Sequence, residues 1–128
     1  MDYTINKKII ADFDSAIERV TEELQKEGFG VLSDIDMRQK FRDKLEVDFR
    51  HYRILGVCHP PSAYRAVQED DKIGTMLPCS LIVQQSDNDQ VEIAVIDPVV
   101  TMGFLENKEL DEVAHEIREK LRRVIAAL

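Results

Sequence analysis

The longest regular pattern of apolar and polar positions lies at the C-terminal end of the chain. From about Asn107, Leu110, Val113, Ala114, Ile117, Leu121, Val124 and Leu128 recur at three- and four-residue steps, which places them along one side of a helix. Glu109, Asp111 and Glu112 come early in this segment and Arg118, Lys120, Arg122 and Arg123 late, an order of charge that complements the helix dipole. A second helical pattern, "DSAIERVTEELQKEG", sets Ala16, Ile17, Val20 and Leu24 on one face. Ser15 with Glu18 fits a capping box, and Gly28 fits a helix stop. A shorter one, "MRQKFRDKLE", repeats Met37, Phe41 and Leu45 every four residues behind a capping Asp36, and that stripe is expected in the core.

Between these helices the period changes to two. "YTINKKI" and "FGVLSDI" alternate as strands do, and "YRILGVC" is apolar on both alternations, as a central strand covered on each side would be. Pro60 and Pro61 end that strand. Proline suits the first turn of a helix, so "PSAYRAVQED" is expected to be helical, with Ala63, Ala66 and Val67 facing inward. "CSLIVQQ" and "VEIAVID" flank the turn formers "SDND" and predict an antiparallel hairpin. Strands separated by helices, then a hairpin and a last helix, predict an α+β fold: a mixed sheet with helices packed on one face. The apolar character of "ILGVC", "SLIV" and "IAVI" on both alternations predicts that a homodimer covers the other face.

Composition narrows the function more than the fold. The 128 residues fit one domain, residues 1–128, long enough to bury roughly two thirds of the unfolded surface. A net charge of −8 would repel phosphate backbones and anionic lipid, so no nucleic-acid or membrane partner is expected. The N-terminus lacks the order of a signal peptide and no apolar run is long enough to span a bilayer, so the expected location is cytoplasmic. Two cysteines in that compartment should remain reduced.

Both cysteines fall in "GVCHPPSAYRAVQEDDKIGTMLPCS". Cys58 ends a strand just before the Pro60–Pro61 helix start, where main-chain N–H groups and the dipole could stabilise a thiolate. "CHPPS" lacks the second cysteine of a Cys-x-x-Cys motif, so any dithiol must join Cys58 to Cys79. A zinc-like site would draw on Cys58, His59 and Cys79, although a regular strand points Cys58 and His59 to opposite faces. His51 and His115 lie on polar segments and are given no role. Ser62 and Ser80 lack a nucleophile's partners, Asp36 reads as a helix cap, and Asp97 ends a strand before Pro98. The leading expectation is non-catalytic: a ligand, metal or protein partner bound near Cys58, His59, Pro60 and Cys79. The alternatives are a thiol enzyme or redox sensor, with Cys58 reactive and Cys79 resolving, and a structural module with inert thiols.

At "GFGVLSDID", "YRILGVCHPPSAYRAV", "IGTMLPCSLIV" and "IDP" the sequence resembles the domain-of-unknown-function family three hundred and two, from about Gly28 to the C-terminus. The resemblance implies a small dimeric α+β domain similar to the TATA-binding-protein-like fold, without an established activity. The motif positions it carries over are Gly56, Cys58, Pro60, Ala63, Pro78, Cys79, Asp97 and Pro98. The chain departs from the family pattern at His59, where asparagine is usual, and at Ser80, where asparagine or arginine is usual. The first departure weighs against zinc ligation by His59 as a family trait.

Overall fold

In the computed structural model, which describes residues 2–128, five strands form one sheet in the order β1-β5-β4-β3-β2. β1 (Thr4–Ile10) lies on one edge and β2 (Gly30–Asp36) on the other, so α1 (Phe13–Lys26) carries the chain across the full width of the sheet. β3 (Tyr52–Cys58), β4 (Cys79–Gln85) and β5 (Gln90–Ile96) fill the middle. The α+β class is as expected, but every pairing is antiparallel where a mixed sheet was expected. The reason lies in α1: because it crosses to the far edge, β1 and β2 never pair with each other, and each instead runs against an oppositely directed neighbour.

One sheet face and two helices make the core. Leu55 and Val57 of β3, Leu81 and Val83 of β4, and Val91, Ile93 and Val95 of β5 alternate onto that face and are fully buried. Against them pack Ala16, Val20 and Leu24 of α1 and the apolar side of α5 (Lys108–Ala126), from Leu110 to Ile125. Lys7, on the same face of β1, reaches the open end of α5 and donates to the carbonyl of Leu128 at 2.6 Å. A cation at a helix C-terminus is favourably placed against the dipole. Among the described residues no helix is long and apolar enough to cross a membrane.

Several local expectations need correction. Asp12, not Ser15, caps α1: its carboxylate accepts from Ser15 N at 3.2 Å. Gly28 ends the helix with φ +83°, and Phe29 N donates to Leu24 O, the left-handed closure that only glycine adopts without strain. In α3 (Pro60–Glu69) the inward positions are Ser62 and Ala66, while Val67 is exposed. α2 (Met37–Leu45) has its expected Asp36 cap, which accepts from Gln39 N at 3.0 Å, but it buries no residue. Its Met37–Phe41–Leu45 stripe is therefore not core. Leu45 is 65% exposed, because α2 borders β3 on the face away from the core. A short helix, α4 (Pro98–Met102), follows β5 and was not expected.

The second sheet face carries no long helix. Across it the register aligns Ile35 with Ile54, Ile54 with Ile82, and Ile82 with Ala94, giving one transverse apolar row over four strands.

Candidate functional site

The residues singled out around the cysteines meet at one end of the sheet, where β3 and β5 each run into a proline-started helix. They do not meet at one point. Val57 pairs with Cys79 and Gly56 with Ser80, so the pleat puts Cys79 with Val57 on the helix side and turns Cys58 with Ser80 to the open side. Cys79 is 4% exposed and belongs to the core cluster, whereas Cys58 is half-buried; both thiols are free.

Neither sulfur is set up as a thiolate. Burial raises the Cys58 thiol above its ordinary value of 9.0. Burial, with a smaller addition from the Cys58 charge, pushes Cys79 up to about 11. The helix start fails to offset this for a chemical reason: Pro60 and Pro61 occupy its first two positions and carry no N–H, so two donors that would face an anion are missing. The prolines that mark the helix in the sequence are what disarm it as an anion site.

His59 turns away from both thiols. Its Nδ1 shares a 2.7 Å hydrogen bond with Ser62 Oγ, and its ring lies against Phe29, with centroids 5.5 Å apart, and over Gly28. Burial chiefly, and the Lys120 charge next, lower its pKa below the ordinary 6.5, which favours the neutral ring. Among the described residues no three His, Cys, Asp or Glu side chains come together to hold a metal. Cys58, His59 and Cys79 thus form no zinc ligand set, since pleat and hydrogen bonding send them in different directions.

What the structure does build beside Cys79 is a groove of about 630 Å³. Thr75 and Met76 wall it from the turn before β4, Pro78, Cys79 and Ser80 from the start of β4, and Ile96 from the end of β5. Val100, Thr101 and Met102 of α4 and the neighbouring Phe104 complete it. None of these residues is charged. Thr75 Oγ donates to Lys72 O at 2.9 Å and Thr101 Oγ to Pro98 O at 3.3 Å, so both hydroxyls are left as acceptors toward the groove. Cys58, His59 and Pro60 do not line it; of the expected binding residues only Cys79 does.

Two residues hold the groove open. A Cβ at Gly56 would come 2.9 Å from Pro78 Cγ and would also collide with Ser33 Oγ, so only glycine lets Pro78 lie across β3. Asp97, 5% exposed, caps α4 by accepting from Val99 N at 3.0 Å, and its Oδ2 lies 3.1 Å from Arg118 Nε on α5. That Nε has no well-aligned hydrogen bond, so the pair is held by charge rather than by directed bonding. It fastens α4, the wall bearing Val100 and Thr101, to the longest helix. The residue pattern alone reads Asp97 as a strand end, but Asp-Pro ahead of an apolar run is the signal of a capped, proline-started helix.

No curated protein matches the chain. Among solved structures it is similar to the crystal structure of an uncharacterized conserved protein DUF302 from Bacillus stearothermophilus, at 31% identity over 97% of this chain and 96% of that one, with a TM-score of 0.88. The family model described as Domain of unknown function DUF302 matches residues 5–128, and the chain belongs to that family.

Proposed function

We infer that the protein is a non-catalytic cytosolic homodimer that takes a small, uncharged and largely apolar ligand in the groove beside Cys79. The observation that carries this reading is the groove's lining. In a chain that is 33% charged, ten residues from the turn before β4, from β4, β5 and α4 and from the turn after α4 converge without one charge among them, over a thiol held neutral. A charged ligand would lose its hydration there without gaining a partner. A neutral ligand gains apolar contact with Met76, Ile96, Val100 and Phe104, and its N–H or O–H groups find Thr75 and Thr101 as acceptors.

A neutral environment-sensitive dye such as Nile red tests it. The expected result is saturable binding that neutral amphiphiles displace and carboxylate analogues do not. Ser80→Asp, which sets a charge on the exposed lip of the groove, is expected to weaken the dye by roughly tenfold, about 1.4 kcal/mol. Equal binding of charged and neutral dyes, or indifference to Ser80→Asp, would sink the reading. The homodimer is supported by the apolar row of half-buried Ile54 and Ile82 beside buried Ala94, on a face that no long helix covers.

A further inference from the structure

The uncovered stripe of α2 belongs to a second surface, at the opposite end of the sheet from the groove. The helix carries Arg38, Lys40, Arg42 and Lys44 against a single acid, Asp43. From Met37 to Arg53 there are six basic and three acidic residues, so this segment stands at +3 while the remainder of the chain stands at −11. Lys40 and Lys44 enter no ion pair among the described residues, and Arg42 reaches only the exposed Asp48 at 3.2 Å. Two large apolar side chains in this stretch, Leu45 and Val47, are exposed, as is Ile35 at the end of β2 just before it.

Between α2 and β3 lies a cavity of about 380 Å³ lined by Met37, Phe41, Phe49, Arg50, Tyr52 and Ile54. Phe41 and Phe49 meet edge to face at 5.2 Å, and the Arg50 guanidinium sits 4.3 Å from the Phe49 centroid. The aromatic faces therefore already have their cation, which removes a cationic ligand from consideration. Arg50 is fixed in place by donating from Nε to Gln84 Oε1 at 2.9 Å. Its terminal nitrogens add to the basic rim of an apolar cavity.

We propose that this surface docks an acidic segment of a different protein, which places one large apolar side chain in the Phe41–Phe49–Tyr52 cavity and its carboxylates against Lys40, Lys44 and Arg50. The charge contrast selects the partner. A second copy placed on a two-fold axis through this patch would set basic helix against basic helix. A flat anionic bilayer would meet the strongly acidic remainder of the chain as well as α2. An acidic segment narrow enough to lie along α2 meets the positive region alone.

The test titrates the full chain with a short synthetic peptide of glutamates around one central phenylalanine, at low and high salt. Its lysine counterpart and phosphatidylcholine–phosphatidylglycerol vesicles serve as comparison arms. The expected result is binding of the glutamate peptide only, weakening steeply with salt. Lys40→Glu with Lys44→Glu should cost roughly tenfold in affinity, and so should replacing the peptide's phenylalanine by alanine. The second change leaves the protein untouched, so it reads the cavity even if a variant unfolds. Equal binding of the lysine peptide, or indifference to the paired charge reversal, overturns the proposal. Preferential attachment to the vesicles overturns it in favour of a lipid surface. A changed sedimentation mass of the charge-reversed variant overturns it in favour of a second copy.

Discussion

A thiol pushed up to about 11 holds its proton more firmly in the native state than in the unfolded chain, where its ordinary value is 9.0. Between these values the native state binds more protons than the unfolded one, so stability falls as pH rises through that window and is whole below it. Relative to wild type, Cys79→Ala should flatten the decline by up to about 2–3 kcal/mol between pH 9 and 11, read from urea unfolding at a series of pH values. A decline of equal steepness in both proteins would show that Cys79 is not the group responsible. At Gly56 the argument is steric. Ser33 can rotate its hydroxyl away from a new Cβ, but the Pro78 ring at 2.9 Å is fixed in the chain. Gly56→Ala should therefore destabilise by about 1–3 kcal/mol in thermal unfolding and also weaken dye binding in the groove.

At the scale of elements, the sequence declared those whose apolar positions face the core and misplaced those whose apolar positions do not. The hairpin appeared as read, with Cys79–Gln85 and Gln90–Ile96 flanking the turn, because its strands are central and their period of two follows burial. The buried face of α5 was legible for the same reason, from Leu110 to Val124. The stripe of α2 has the same period but no core beneath it, since periodicity reports a face and not what covers it. Leu45→Ala should consequently cost less than about 1 kcal/mol in denaturant unfolding, the ordinary range for an exposed position. Leu24→Ala, on the fully buried side of α1, should cost about 2–5 kcal/mol. Comparable losses at both sites would mean that α2 is packed after all. The candidate site was half legible: Cys79 was named, but its partners Thr75, Ile96 and Thr101 come from three separate elements that only the sheet register assembles. Asp97 had a readable cap signal, whereas its pairing with Arg118 spans chain segments that no local pattern connects.

For the whole molecule, the open face and the cysteines make one linked prediction. Ile82 stands near the middle of the apolar row and points away from the helices, so a charge there spoils a partner's seat without entering the core. Wild-type protein should sediment as a dimer at micromolar concentration, and Ile82→Glu as a monomer with unchanged circular dichroism. Cys58 turns toward that same face at the end of β3, while Cys79 is buried on the other side, where it lines the groove. Association over the open face would shield Cys58 and leave Cys79 as it was, so native labelling with a thiol reagent should slow as protein concentration rises, at one cysteine only. In Ile82→Glu that dependence on concentration should vanish. A wild-type chain that stays monomeric, or a Cys58 labelling rate that is flat from nanomolar to micromolar protein, would leave the half-buried Ile54 and Ile82 without a second copy, because burial of that face and protection of that sulfur are the same event.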